Sequence, residues 1–329
     1  VWYLDCNWRP ISNLVDIGQL EGIQGVGLSG INATDFTPVA DISSLMSFDA
    51  HENPEFDPTD LAALVGHPTL ISIGLNNADI TDLTPLVSIP NFESLYISGP
   101  DVLDLTPLTQ IPTFNTLGMP REQISDISIL NSLNLVHLTF SGNIYPGDIE
   151  VVEQQTELRT FGWNYSNITT ADFNRVLAAN PQMESLSLTR NAVTDLGQVP
   201  ILVPDLVTID MPEANAPDLS PLYGISKLSY MYVENAGLYD FTQLDELRDT
   251  YGVTVDGTPL QAEPIIDIVF ESSALETCLY GFYPGIQVST EMSYLDCNGN
   301  TAITSLVGLE SLPRLDTLTI DSASISDLG

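Results

Sequence analysis

The sequence predicts an α/β solenoid, with a parallel sheet along one face and short helical or extended returns on the other, and two observations predict it. The first is an apolar skeleton that returns about every 22 residues, the signature of a stacked repeat. Leu70, Ile73, Leu75, Ala78 and Ile80 stand at positions 1, 4, 6, 9 and 11 of one repeat. Phe92, Leu95, Ile97, Pro100 and Val102 take those places in the next, and Phe114, Leu117, Met119, Glu122 and Ile124 in a third. The second observation is the chemistry within each repeat. Positions 4 and 6 alternate with polar neighbours, as in Ser72-Ile73-Gly74-Leu75, which suits a short strand with one buried face. Asp82-Leu83-Thr84-Pro85-Leu86 then offers a carboxylate for free backbone N–H groups and a proline tolerated in a first helical turn. No single repeat can bury its apolar face alone, so neighbours must stack.

Repeats start at Val1, Ile23, Leu45, Leu70, Phe92, Phe114, Leu135, Leu158, Met183, Leu206 and Leu228. Near Leu45 the frame is held by Phe48 and Phe56 through an insertion. The return of the Leu135 repeat, from Pro146, is more helical than DLTPL. The return of the Leu158 repeat has the longest helix signal, opened by Thr170 or Asp172 and closed before Pro181. Tyr251 to Leu260 reads as a closing strand and turn, and residues 261–264, QAEP, as a linker. A helix is expected around Ser272 to Tyr280. From Met292 the sequence starts over: Tyr294 to Asn298 repeats the YLDCN of Tyr3 to Asn7, with the same apolar frame after it. The expected organisation is an array over 1–260, a linker over 261–269, and the cap and first repeats of a second array over 270–329.

These repeats resemble the leucine-rich repeats of bacterial extracellular proteins, the internalin-like ones among them. The resemblance implies a horseshoe with its parallel sheet on the concave face, and an apolar helix capping the first repeat. Phe270 to Leu279, followed by Tyr294-Leu295-Asp296-Cys297, is similar to such a cap. Cys278 and Cys297 would then sit on the cap helix and the first strand, either as a disulfide or as two buried thiols. A disulfide closing a loop of this length would contribute ~3 kcal/mol in the chain-entropy model. Cys6 is the counterpart of Cys297, so its partner is expected on a cap helix before Val1, and the chain reads as a window from a longer tandem protein.

Charge narrows the function. Against 44 Asp and Glu stand 8 Lys and Arg, giving a formal charge of −36. This balance repels nucleic acid and anionic membranes and suits a salt-tolerant secreted surface. No apolar run is long enough to insert into a membrane, and the first residues lack the form of a signal peptide. An extracellular or cell-surface location is expected. Asp35, Asp82, Asp104, Asp126, Asp195, Asp218 and Asp240 each follow position 11 by two residues. A ladder of carboxylates could hold Ca²⁺; the simpler reading is that each bonds backbone N–H groups of its own turn. Asp57 and Asp60, and Asp101 and Asp104, are denser acidic spots without calcium-loop spacing. No cofactor is expected. His51, His67 and His137 lie in different repeats, no nucleophile elbow, zinc motif, phosphate loop or CxxC occurs, and catalysis is not expected.

Binding is the better prospect, because positions 3, 5 and 7 of each strand face outward on the concave side. They are small, polar and mostly uncharged. Strong protein interfaces use Trp, Tyr or Arg anchors, and Tyr96, Tyr230 and Tyr232 are the candidates here. Tyr230 and Tyr232 flank Met231 on one strand and come first. Trp163, at a core position, is expected to pack. Asn32, Asn164 and Asn167 stand in N-x-S/T sequons. Two functions compete. Tandem arrays would form a surface fibre or stalk by extension and self-association; alternatively, one array is an adhesin or receptor module that binds a protein or glycan on its concave face. The tandem restart and the anchor-poor face favour the fibre.

Overall fold

The computed structural model describes residues 2–78, 80–99, 103–124, 126–215, 218–261, 265–282, 289–292, 294–320 and 325. It divides into two compact units, one of Val1–Asn167 with Arg175–Ser185, the other of Ile168–Asn174 with Leu186–Gly329. Pro100, Asp101, Val102 and residues 262–264 of the expected linker lie outside the described residues.

In the first unit, one strand per repeat builds a parallel sheet in chain order: β1 (Trp2–Asp5), β2 (Ile23–Gly27), β3 (Ser47–Asp49), β4 (Ser72–Asn76), β5 (Ser94–Ser98), β6 (Thr116–Pro120), β7 (His137–Ser141) and β8 (Thr160–Asn164). The register places position 4 beside position 4 throughout. Leu4, Val26, Phe48, Ile73, Leu95, Leu117, Leu138 and Phe161 form one row. From Val26 onward the row is fully buried. Strand neighbours share a face only at a period of two, so a slip of one residue would turn this row to water.

Returns to the next strand are short. Thr37–Asp41, Thr84–Ser88, Thr106–Gln110 and Ile127–Ser132 are 3-10 turns, with proline in the first turn of the first three. True helices appear where the return lengthens: α1 (Pro58–Ala63) in the insertion after β3, and α2 (Asp148–Val152) after β7. The insertion holds the frame through Phe56, whose ring lies 5.4 Å from Phe36 and 5.9 Å from Phe48. Asp57 and Asp60 cap α1 reciprocally, and Asp60 also accepts from the Phe36 amide at 2.8 Å. Trp163 packs as expected, its ring 5.1 Å from Phe140 and its indole N–H donating to Gly142 O at 2.8 Å.

Two details differ from the sequence reading. Glu122 stands at a core position by alignment but is exposed, while Arg121 and Gln123 on either side are buried. Proline at 120 and a 3-10 turn over Arg121–Gln123 rotate the chain there, and Arg121 turns inward to Asp148. The long helix α3 (Thr170–Ala179) is opened by Thr169: its hydroxyl accepts from the Asp172 amide at 3.2 Å and donates to the Asp172 carboxylate at 2.7 Å. The cap residue precedes the helix because its own backbone is still extended.

The unit division runs through α3 and β9 (Ser185–Ser187). The second unit carries α4 (Val199–Leu202), β10 (Thr208–Asp210), β11 (Tyr230–Tyr232), β12 (Gly237–Leu238), α5 (Thr242–Asp249), β13 (Thr254–Asp256) and β14 (Leu260–Gln261). β10, β11 and β13 pair in parallel, and β12 pairs with β14. Beyond them α6 (Ser273–Phe282), β15 (Tyr294–Asp296) and β16 (Thr317–Thr319) surround a separate core of Ile265, Phe270, Leu275, Leu279, Met292 and Leu295. A disulfide joins Cys278 of α6 to Cys297, with Cα atoms 5.8 Å apart.

Candidate ligand-binding surface

The face of the sheet away from the core is set by the same register. At position 5 the first unit aligns Asp5, Gly27, Asp49, Gly74, Tyr96, Gly118, Thr139 and Gly162 across its strands. Glycine alternates with a side chain, strand by strand. Tyr96 leans over the neighbouring glycine: a Cβ at Gly118 would collide with its ring. The ring therefore rests on bare backbone and is 41% exposed. Tyr3 does the same over Gly25 and Gly27, and Asp49 and His51 over Gly74.

Beside Tyr96 a groove of about 300 Å³ runs to the strand ends, lined by Asn76, Asn77, Ser98, Gly118, Thr139, Ser141, Asn164, Tyr165 and Glu52 among others. Its rim is shaped by position 8, where the chain leaves β1, β3, β4 and β8 through left-handed backbone. Trp8, Glu52, Asn77 and Tyr165 hold φ of 58°, 57°, 61° and 52°. Non-glycine residues reach this region at an energetic cost, and their side chains are thereby turned toward the neighbouring repeat. Asn77 donates to Glu52 at 2.7 Å. Tyr165, 54% exposed, closes the far side of the groove.

Polar contacts fix the face further. His51 Nδ1 accepts from the Asn76 amide at 3.1 Å, which leaves the proton on Nε2, 3.7 Å from the Asp49 carboxylate. Burial raises the Asp49 pKa, with His51 opposing. Burial also raises the Tyr96 hydroxyl, with Asp49 adding to it, so the phenol stays a neutral donor.

Tyr96, the sequence candidate, is thus placed in a groove. Tyr230 and Tyr232 belong to the other unit, half-buried on β11. Tyr232 lies between Asp210 and Asp256, and Tyr230 between Thr208 and Thr254. Burial and a hydrogen bond to Asp256 raise the Tyr230 hydroxyl pKa. Sequence reasoning did not place Asp49, His51 or Tyr165 on this face. The first two follow from the offsets counted from Leu45; Tyr165 has no sequence signal, because its outward turn comes from the left-handed backbone.

The recurrent aspartates serve their own turns. Asp35, Asp82, Asp104, Asp126, Asp195, Asp218 and Asp240 each accept the amide two residues on, at 2.7 to 3.0 Å. Hydroxyl and amide donors hold Asp82, Asp104, Asp126 and Asp240 below the usual carboxylate range. Among the described residues, no three His, Cys, Asp or Glu side chains are grouped as a metal site, and no helix is long and apolar enough to cross a membrane.

A second polar centre lies within the second unit. Arg314 donates to the carbonyls of Glu213 at 2.7 Å, Thr290 at 3.0 Å and Asn235, and to Asn215 Oδ1 at 3.3 Å. Burial lowers its pKa to about 10. Thr290 also donates to Asn215 at 3.0 Å, and its side chain fills the space over Gly237. Sequence reasoning missed this residue, although it is the single basic side chain after Arg248.

No protein-family model and no curated protein matches this sequence. Solved structures do. An internalin C2 from Listeria monocytogenes is 26% identical over 50% of this chain and 71% of its own, with a TM-score of 0.42. An internalin from the same organism, InlF, is 20% identical over 97% of this chain and 86% of its own, with a TM-score of 0.48. A leucine-rich-repeat protein of Leptospira interrogans is 15% identical over 95% and 82%, with a TM-score of 0.43. By its own period, register and 3-10 returns the chain is a leucine-rich-repeat solenoid, similar in repeat form to the internalins.

Proposed function

We propose that this chain is a non-catalytic, extracellular adhesin or receptor module whose solvent-facing sheet surface in the first unit takes up a protein or glycan. One observation carries the reading: the Tyr96 ring rests over Gly118, where a Cβ would collide with it, at the edge of a groove, and is 41% exposed before any ligand arrives. An anchor ordered in advance loses little conformational entropy on binding. The extracellular setting is supported by the Cys278–Cys297 disulfide, which persists in oxidising compartments. The test is retention of a ligand on the immobilised chain. Tyr96→Ala is expected to abolish retention, and the Tyr230→Ala/Tyr232→Ala pair to leave most of it. The reverse result would move the site to the second unit.

A second reading is a surface fibre or stalk of arrays that extend and associate, favoured by Arg314. Its guanidinium ties the restarted repeats to the turns at Glu213 and Asn235, which would hold consecutive arrays in a fixed relation. Electron micrographs of the native polypeptide, with its denatured mass, test this. Regular thin fibres support it; freely tumbling beads of one array oppose it.

A further inference from the structure

We infer that the solvent face of the first unit binds an extended, neutral oligosaccharide laid across the strands; the inference rests on the binding-module reading and names its ligand class. Its basis is the alternation at position 5. Asp5, Asp49, Tyr96 and Thr139 stand on every second strand, with Gly27, Gly74, Gly118 and Gly162 between them. Adjacent strands lie about 4.8 Å apart, so these side chains recur about every 9.6 Å, close to the length of one disaccharide in an extended chain. The pattern does not continue on β10, β11 and β13, where Asp210, Tyr232 and Asp256 stand side by side.

The groups themselves suit a sugar. One face of a pyranose ring carries only C–H bonds and lies against a flat aromatic ring, and the missing Cβ of Gly118 leaves room for the Tyr96 ring beside the groove. Tyr165 stands exposed at the far side of the same groove. Asn76, Asn77, Ser98, Thr139, Ser141 and Asn164 line the same groove with amides and hydroxyls, which both donate and accept, as sugar hydroxyls require. The described lining contains no Lys or Arg and one carboxylate, Glu52. A formal charge of −36 repels uronate and sulfated chains. A protein partner is the poorer fit, because the described groove lining carries no Trp or Arg, two of the residues that anchor protein interfaces.

The experiment is calorimetric titration of the full chain with cellohexaose and with chitohexaose, against cellobiose and a heparin hexasaccharide. At least one neutral hexasaccharide should bind at least about tenfold more tightly than cellobiose, and Tyr96→Ala should weaken it by about tenfold. Gly118→Val, which lifts the Tyr96 ring from the sheet, should weaken it comparably, whereas Ile201→Ala should not change it. Circular dichroism checks that each variant is folded. Failure of both neutral hexasaccharides, preference for heparin, or indifference to Tyr96→Ala and Gly118→Val would overturn the inference. If the sugars fail while Tyr96→Ala still abolishes retention of a protein on the immobilised chain, the carbohydrate assignment falls and the binding face stands. If that retention is also unchanged by Tyr96→Ala, both fall.

Discussion

Asp148→Ala should destabilise the first unit by about 3–5 kcal/mol, the range for removing one partner of a buried ion pair. The carboxylate is 2% exposed and accepts from Arg121 Nε at 2.7 Å, from Arg121 Nη2 at 2.6 Å and from the Tyr145 amide at 2.9 Å. Without it the guanidinium, 10% exposed, keeps only the Ile124 carbonyl at 2.9 Å and the face of Tyr145, 5.2 Å from the ring centre. A hydrogen bond to a charged group contributes roughly 1.5–3 kcal/mol, and an abandoned buried charge adds its own desolvation cost. The pair as a whole is worth far less. Arg121→Met with Asp148→Leu removes both charges together, so the double variant should lie within about 1 kcal/mol of the parent. Urea unfolding followed by circular dichroism, with a double-mutant cycle, measures each value. An Asp148→Ala cost below about 1 kcal/mol, or a double variant as unstable as the single, would refute the account.

Three further outcomes are expected. Phe56→Ala, which empties the space between the rings of Phe36 and Phe48, should cost about 3–5 kcal/mol in the same urea titration. His67 Nε2 donates to the Ile42 carbonyl at 3.1 Å while its Nδ1 is buried without a partner, and burial lowers its pKa from 6.5. A lowered histidine pKa means the unfolded chain binds the proton more readily. Its contribution is therefore complete above 6.5 and is lost as pH falls through the folded value; His67→Gln should remove that step from a melting-temperature profile. Reducing the Cys278–Cys297 disulfide should weaken the surrounding core by about 3 kcal/mol, read as faster amide exchange in α6 and β15, with β4 to β7 unchanged.

Most of the architecture was legible in the residues. Apolar positions 4 and 6, the aspartate two residues past position 11 and the following proline all act within one repeat, so their consequences follow from local chemistry and repetition. The buried row from Val26 to Phe161, the seven aspartate turns and the packing of Trp163 are of that kind. The meeting of Cys278 and Cys297 followed from the resemblance of Phe270 to Leu279 to a cap helix, which left open a disulfide or two buried thiols; the structure has the disulfide. Glu122 misled because periodicity counts residues, whereas Pro120 and the 3-10 turn after it rotate them.

What tertiary structure alone decided is where side chains from different repeats meet. The bidentate Arg121–Asp148 pair spans 27 residues, and Arg314 reaches the Glu213 carbonyl across 101; no local signal links them. The alternation of glycine with Asp5, Asp49, Tyr96 and Thr139 is written in the sequence, yet it becomes a row only once the register aligns the strands. Tyr96 rests over Gly118 because the next strand lacks a Cβ there, and Tyr165 lines the groove from a left-handed backbone position. The sequence by itself determined the repeat and its buried face, since burial and turn chemistry act over a few residues. The composition of the surface a ligand would meet was decided by neighbours a whole repeat away.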